Sequence, residues 1–114
     1  MNPIEALLIL NLFLPHPGVI TQDYSQVHQG VDIACREGDE IRAAHGGTLK
    51  KSYNYRTGNV VEVRGEGLIS SYHHLLRTVN REEVLQGEVI GWCGSTGEWS
   101  TGPHLHWELD RLRD

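Results

Sequence analysis

The chain has 114 residues, of which 39% are hydrophobic and 22% charged, a globular composition that supports one hydrophobic core. It is too short to divide into two domains, so we expect a single domain over residues 1–114. The formal net charge is −5 and the basic residues form no cluster, which argues against a nucleic-acid partner. Seven histidines are many for a chain of this length, and composition alone does not explain them.

The first residues predict a helix, because Asn2, Pro3 and Glu5 suit its N-cap, first and third positions; a strand is the alternative. An apolar run follows at residues 6–14 and is too short to cross a membrane. It also lacks the positive charge that precedes a signal peptide's apolar region, since the first basic residue is Arg36. We therefore predict a core element, with no membrane span and no export signal.

From Gly18 onward the chain consists of short runs rich in Val, Ile, Thr and Tyr, separated by glycines about every ten residues, as in antiparallel sheets. At residues 59–64, Val61 and Val63 alternate with Glu62 and Arg64, which predicts a half-buried strand. Turn signals on either side make residues 47–74 a three-stranded meander. The sequence thus predicts a mainly β, antiparallel fold in a single domain. The predicted strands are residues 19–24, 31–34, 40–43, 47–53, 59–64, 68–74, 88–93 and 104–109.

The segment HQGVD at residues 28–32 places His28 and Asp32 four positions apart, on one face of a helix or of a strand. The β-branched Val31 and Ile33 favour the strand. Alone, such a pair is commonly a surface ion pair.

His104 and His106 are separated by one residue, so they lie on the same face of a strand, with Leu105 and Trp107 on the buried face. Pro103 favours an extended segment that begins after a turn. Two imidazoles then project together, although a pair of hydrogen-bonded histidines at a sheet edge gives the same pattern.

A third histidine site occurs at the end of the predicted strand 68–74. Neighbouring residues of a strand point to opposite faces, so only one of His73 and His74 is expected to join a cluster, and the pattern does not select it. His16 and His45 occur in turn-like contexts and are expected to be exposed.

One zinc ion explains these residues together. A catalytic zinc takes three nitrogen or oxygen ligands and keeps one position open, and two histidines with one aspartate meet that need. Zinc lowers the pKa of its bound water to about 7, and the remaining histidines can transfer protons.

The order and spacing of these motifs resemble those of the lysostaphin/LytM-type zinc metallopeptidases over residues 15–109. The resemblance implies that His28, Asp32 and His106 bind one Zn²⁺ and that His74 and His104 flank the metal-activated water, which selects His74 over His73. The motifs are HQGVD at 28–32, IRAAHGG at 41–47, YHHL at 72–75, GSTG at 94–97 and TGPHLHWE at 101–108.

The resemblance also implies a zinc metalloendopeptidase that hydrolyses peptide bonds in peptidoglycan cross-links or stem peptides, with the substrate in a groove across the sheet. The loop at residues 91–102 is expected to form one wall. Within it, Trp99 either contacts substrate or packs on the loop base. Tyr24 is a candidate donor to the oxyanion.

We expect a monomeric, stand-alone catalytic unit that acts on the cell wall, in an extracytoplasmic, periplasmic or phage-delivered setting. A phage-type lytic enzyme, a virion-associated wall-cutting protein and a domain of a longer protein all fit, and the sequence does not choose among them. The alternative from another class is an inactive module of the same fold that binds the wall or activates another hydrolase.

The two cysteines, Cys35 and Cys93, permit one disulfide but belong to no close Cys/His cluster, and two buried, unpaired thiols are the favoured interpretation. A structural zinc site with Cys35 as a fourth ligand is a further alternative. A strand would point Cys35 away from Asp32, which argues against it.

Overall fold

The computed structural model describes residues 1–113 and contains one short helix and ten strands within that range. All eight predicted strands are present, with bounds that differ by at most a few residues. The elements are α1 (Pro3–Ile9), β1 (Ile20–Gln22), β2 (Val31–Ala34), β3 (Glu40–Arg42), β4 (Gly47–Asn54), β5 (Gly58–Gly65), β6 (Leu68–Leu75), β7 (Arg77–Thr78), β8 (Glu83–Val84), β9 (Val89–Trp92) and β10 (His104–Arg111).

The strands form two antiparallel sheets. The larger sheet has the order β1-β2-β10-β6-β5-β4-β8, and the smaller has the order β3-β9-β7. Strands β4, β5 and β6 pair consecutively, which confirms the predicted meander. Strands β2, β10 and β6 are neighbours near the middle of the large sheet, so the three histidine motifs lie side by side. The mainly β, antiparallel prediction is confirmed.

The core lies beneath one face of the large sheet. On β10, Leu105 and Trp107 are fully buried and Leu109 is almost so, whereas His104 and His106 on the other face are partly exposed, as the alternation predicts. On β5, Val61 and Val63 are buried, while Glu62 and Arg64 face outward. The same alternation that builds the core therefore leaves a row of polar side chains on the opposite face.

The N-terminal segment fulfils only part of its prediction. Asn2 caps α1 by accepting a hydrogen bond from the Ile4 backbone N–H at 3.0 Å, and Pro3 occupies the first turn. Only one side of this seven-residue helix is buried, however, and the side chains of Leu8 and Ile9 are 92% and 80% exposed. The expectation that the whole apolar run belongs to the core is wrong, because so short a helix has one covered face. Among residues 1–113, no helix is long and apolar enough to span a bilayer.

Cys35 and Cys93 form a disulfide across 58 positions, so the interpretation of two unpaired thiols is wrong. Cys35 directly follows β2 and Cys93 directly follows β9, so the bond ties the two sheets together. Its sulfur is not a free thiolate, which removes Cys35 as a fourth metal ligand.

The predicted exposure of His45 and His16 is also wrong. His45 is 1% exposed, and its Nε2 lies 2.9 Å from the Ser70 hydroxyl. His16 is partly buried, pairs with Asp39 at 3.0 Å and accepts a hydrogen bond from the Gly18 backbone N–H. Both histidines lie in turns, but the turns are packed against the sheets and their imidazoles satisfy local polar groups.

Candidate metal centre and active site

Three neighbouring strands place the candidate ligands in one row. Asp32 on β2 is the register partner of His106 on β10, and His106 is the partner of His73 on β6. His28 lies just before β2, where it forms an isolated bridge with Ser25. The row runs across the strands on the solvent side of the sheet.

His28, Asp32 and His106 form a set of three donors whose ligand atoms all lie within 4.8 Å of one another. Nδ1 of His106 lies 2.8 Å from one carboxylate oxygen of Asp32, and Nε2 of His28 lies 3.5 Å from the other. Two imidazole nitrogens and one carboxylate are the donors of a three-ligand catalytic zinc centre. The residues thus fit the metal that the sequence predicted.

The outer nitrogens of both imidazoles are held by other groups. Nδ1 of His28 lies 2.9 Å from the Asp23 carbonyl oxygen, and Nε2 of His106 lies 2.9 Å from the Glu108 carboxylate. When these nitrogens donate, the lone pairs remain on Nε2 of His28 and Nδ1 of His106, the two atoms that face Asp32. The Asp23 carbonyl therefore selects the tautomer that His28 needs as a ligand, and Glu108 accepts the proton of His106 in the tautomer that leaves Nδ1 free.

The charges of the site are strongly coupled. Burial raises the pKa of the Asp32 carboxyl, but the hydrogen bond from His106 and the nearby imidazoles outweigh burial and hold this pKa below 3.8. Burial lowers the pKa of His106, but the carboxylates of Asp32 and Glu108 outweigh it and raise this pKa to about 9. Without an ion, protonated His106 thus supplies the positive charge that lies between the two carboxylates.

His74 and His104 lie beside the three candidate ligands, with ring centroids 4.8 Å apart. Nδ1 of His74 lies 2.9 Å from the Thr96 carbonyl oxygen, and Nδ1 of His104 lies 3.0 Å from that of Gly102. Nε2 of His104 is 3.8 Å from Asp32. Burial lowers the pKa of His74, which favours a neutral imidazole near neutral pH. Both rings therefore offer Nε2 as a proton acceptor.

The expectation that only one of His73 and His74 joins the cluster is wrong. The ring of His73 lies 4.9 Å from that of His106, and His74 lies 6.3 Å from the same ring. His74 has a positive φ of 64°, and three steps along β6 oppose two along β5 between Tyr72 and Leu75. This bulge breaks the strand alternation and turns both imidazoles to one side. Burial lowers the pKa of His73 to about 4.

The clustered histidines border an open groove of about 370 Å³. Trp99, whose side chain is 63% exposed, forms part of the wall and lies 5.5 Å from the Arg56 guanidinium. A larger recess of about 1190 Å³ beneath the N-terminal segment contains none of the five predicted site residues. The groove is lined by Gln22, Val27, His28, Gln29, Asp32, His73, His74, Trp99, His104, His106 and Glu108.

Tyr24 is not placed as expected for an oxyanion donor. Its hydroxyl accepts a hydrogen bond from the Met1 amino group at 3.3 Å, and Tyr24 does not line the groove. The side chain packs against the core, and its hydroxyl contacts Met1 instead of the candidate metal ligands.

Sequence reasoning overlooked Glu108 and the Thr96 carbonyl, although both position a site histidine. Glu108 had a detectable signal, because it follows His106 by two positions and so shares its face of β10. A backbone carbonyl in a loop leaves no comparable signal in the sequence.

Comparison with known proteins decides the family, since residues 26–114 match the model of peptidase family M23. The chain belongs to peptidase family M23. The resemblance inferred from the motifs is thereby confirmed at the level of the family.

Individual relatives agree with this M23 assignment. The DD-carboxypeptidase/endopeptidase Mpg of Neisseria meningitidis serogroup B is 42% identical over 86 residues, covering 73% of this chain and 20% of the relative. The chain thus spans about a fifth of the length of the Mpg proteins that it matches.

Two solved structures, of a prophage-encoded M23 protein and of lysostaphin, share the fold. The catalytic domain of prophage-encoded EnpA from Enterococcus faecalis, solved as a point mutant, superposes with a TM-score of 0.75 and 31% identity, covering 89% of this chain and 88% of that one. The catalytic domain of the antimicrobial peptidase lysostaphin from Staphylococcus simulans gives a TM-score of 0.72 and 25% identity, with coverages of 96% and 87%.

Proposed function

We propose that residues 1–114 form a zinc-dependent metalloendopeptidase that hydrolyses peptide bonds in the cross-links or stem peptides of bacterial peptidoglycan. The observation that carries the proposal is the set of three donors at His28, Asp32 and His106, with ligand atoms within 4.8 Å of one another at the base of a groove. Membership of peptidase family M23 supports hydrolysis of a peptide bond as the reaction.

Nε2 of His28, the Asp32 carboxylate and Nδ1 of His106 would hold the ion. The Asp23 carbonyl holds His28 in the required tautomer, and the Glu108 carboxylate would accept the Nε2 proton of His106 when Nδ1 binds the ion. When bound, zinc supplies a Lewis acid that polarises the scissile carbonyl and makes a water molecule more acidic.

His74 and His104 would manage the protons. Each ring donates from Nδ1 to a loop carbonyl, so each presents the Nε2 lone pair to the groove. One imidazole takes a proton from the attacking water as the new C–O bond forms. The other, in its doubly protonated form, donates from Nε2 to the developing oxyanion and protonates the departing amine as the C–N bond breaks, and the proton taken from the water then restores it.

The groove opens to solvent, and we propose that it holds an extended segment of the substrate peptide. The exposed indole of Trp99 offers an apolar surface on one wall, so we assign it to substrate contact. Such a substrate lies outside the cytoplasm, so we propose action in an extracytoplasmic, periplasmic or phage-delivered setting, as a monomer.

An inactive wall-binding or hydrolase-activating module of the same fold is the competing proposal. A module that only binds has no need for three metal donors flanked by two histidines that face the groove as proton acceptors. The intact set in this chain favours the enzyme.

Alanine variants separate the two roles of the site residues. His28→Ala and Asp32→Ala should lose activity because each removes a ligand of this centre, and His106→Ala should lose bound zinc and activity together. His74→Ala and His104→Ala should keep zinc, while turnover falls about 100-fold or more because proton transfer is lost. Zinc is measured by elemental analysis after dialysis, and activity by mass spectrometry of the new amino termini in digested peptidoglycan.

His16→Ala is the matched control, because His16 also pairs with a carboxylate but lies away from the groove. It should keep both zinc and turnover. Full turnover in the His104→Ala variant would remove that residue from the mechanism, and a wild-type chain that binds no zinc would favour the inactive module.

A further inference from the structure

A second group of three metal donors lies beside the first. It consists of His73, His106 and Glu108, whose ligand atoms also lie within 4.8 Å of one another. His73 on β6 is the register partner of His106 on β10, and Glu108 is two positions further along the same face of β10. All three line the groove, so an ion can reach them from solvent.

His106 belongs to both groups, but through opposite ring nitrogens. Its Nδ1 faces Asp32 at 2.8 Å, and its Nε2 faces Glu108 at 2.9 Å. A neutral imidazole has one nitrogen that carries a proton and one that carries a free lone pair. With the proton on Nε2, Nδ1 can bind an ion held by His28 and Asp32. With the proton on Nδ1, Nε2 can bind an ion held by His73 and Glu108.

We propose that His73, His106 and Glu108 form a second divalent-cation site that alternates with the first, and that the tautomer of His106 decides which site is filled. The alternation rests on the proposed zinc centre at His28, Asp32 and His106. In each state, the carboxylate of the vacant site accepts the proton of His106. Neither tautomer therefore leaves the outer nitrogen without a partner.

The donors of the second site indicate the class of ion. Two imidazoles and one carboxylate suit zinc and other late first-row divalent metals, whereas magnesium and calcium require mainly oxygen ligands. His73 and Glu108 are specific to this site, because both belong to the second group and not to the first. Removing His73 consequently leaves the first group of donors complete.

The test removes each site in turn and counts zinc ions bound per chain by equilibrium dialysis against zinc chloride. The wild type and His28→Ala should each bind one ion, since loss of His28 moves the ion to the second site. The double variant His28→Ala/His73→Ala should bind none under the same conditions. His28→Ala/His16→Ala is the matched control and should still bind one.

Nitrogen chemical shifts of the His106 ring give a second, independent measurement. In the zinc-loaded wild type, the metal-bound nitrogen should be Nδ1, and in zinc-loaded His28→Ala it should be Nε2. Continued Nδ1 ligation in His28→Ala would overturn the second site, because the ion would then have stayed beside Asp32.

The failures of the two proposals are distinguishable. If His28→Ala binds no zinc while the wild type binds one, the second site is wrong and the proposed metal centre stands. If His28→Ala/His73→Ala still binds one ion, His73 is not a ligand and the second site is again wrong. If the wild type binds no zinc, the proposed function fails, and the alternation fails with it.

Discussion

The hydroxyl of Tyr72 is the centre of a buried chain of hydrogen bonds. It accepts from the Ala44 backbone N–H at 3.0 Å and lies 2.8 Å from the Ser70 hydroxyl, which lies 2.9 Å from Nε2 of His45. Nδ1 of His45 lies 2.9 Å from the Gly46 carbonyl oxygen, so it donates there and leaves Nε2 to accept. The Tyr72 hydroxyl therefore donates to Ser70, and the Ser70 hydroxyl donates to Nε2 of His45.

Tyr72→Phe should change how stability depends on alkaline pH. Burial raises the pKa of Tyr72 from 10.0 to about 12, although its hydrogen bonds act in the opposite direction. Between these values the unfolded chain has lost the phenolic proton and the folded chain keeps it, so folding becomes less favourable as pH rises. The unfolding free energy that depends on this proton is fully present below about pH 10. It falls by roughly 1.4 kcal/mol per pH unit between the two pKa values.

Urea denaturation at about pH 9 and pH 11 measures the effect. The wild type should lose more unfolding free energy over this interval than Tyr72→Phe, although the variant begins lower because the Ala44 N–H is left unpaired. Equal losses in both proteins would contradict the assigned proton. The other tyrosines, which both proteins retain, serve as the internal control.

The loop between β9 and β10 connects the disulfide to the histidines proposed for proton transfer. It packs on the turn between β4 and β5, where the backbone N–H of Glu98 donates to the Tyr55 carbonyl at 2.7 Å and that of Trp99 donates to Arg56 at 3.0 Å. The loop also supplies the Thr96 carbonyl that holds His74. The conformation of the loop consequently fixes the orientation of the His74 imidazole.

Gly97→Ala should disturb this loop. Gly97 has a φ of 92°, and an added Cβ would lie 2.5 Å from the Arg56 carbonyl oxygen and closer still to the Gly58 nitrogen. We expect a loss of roughly 1–3 kcal/mol of unfolding free energy. Turnover should fall while the protein keeps its zinc, because the Thr96 carbonyl no longer orients His74.

Gly102→Ala is the matched control in the same loop, since nothing lies within 4 Å of its added Cβ. Denaturant midpoints, zinc content and kcat are compared in both variants. A Gly97→Ala protein with the stability and kcat of Gly102→Ala would show that the loop does not position the histidine.

The elements with a repeating pattern were predictable from the sequence, and the irregular ones were not. Alternation identified β5 and β10 with their buried faces, and it placed His104 and His106 together. Strands β7 and β8 have two residues each, which is too few for any alternation to appear. The shared direction of His73 and His74 depends on a positive φ at His74, a non-glycine residue that gives no sequence signal for it.

The site itself was predictable as a set of residues but not as a geometry. The five residues proposed for metal binding and proton transfer do lie together in the structure. Their orientation by Glu108 and by loop carbonyls depends on how distant segments pack. Pairing of the two cysteines across 58 positions likewise requires the two sheets to be placed first.

The molecule as a whole is held by two sheets and one covalent link. The large sheet carries the proposed metal donors Asp32 on β2 and His106 on β10, and the small sheet carries β9, which leads into the loop before β10. The Cys35–Cys93 bond joins the ends of β2 and β9. It therefore restrains the loop between β9 and β10 relative to the strand that carries Asp32.

Removing the disulfide should destabilise the fold. Closing a loop of 58 positions in the unfolded chain is worth about 4 kcal/mol in the chain-entropy model. The variant Cys35→Ala/Cys93→Ala should lose unfolding free energy of that order, measured by guanidinium denaturation. Reductant should lower the unfolding free energy of the wild type by a similar amount and leave that of the double variant unchanged. No effect of reductant, with both thiols shown to be free, would contradict the assignment.

Because of the same bond, the stability of this protein depends on the redox conditions of its compartment. Disulfides persist in the periplasm and outside the cell, whereas glutathione and thioredoxin keep thiols reduced in the cytosol. A freshly made chain, with Cys35 and Cys93 still apart, would be the weaker form and more readily degraded. The protein would reach its full stability only outside the cytosol of the cell that produced it, where the disulfide can persist.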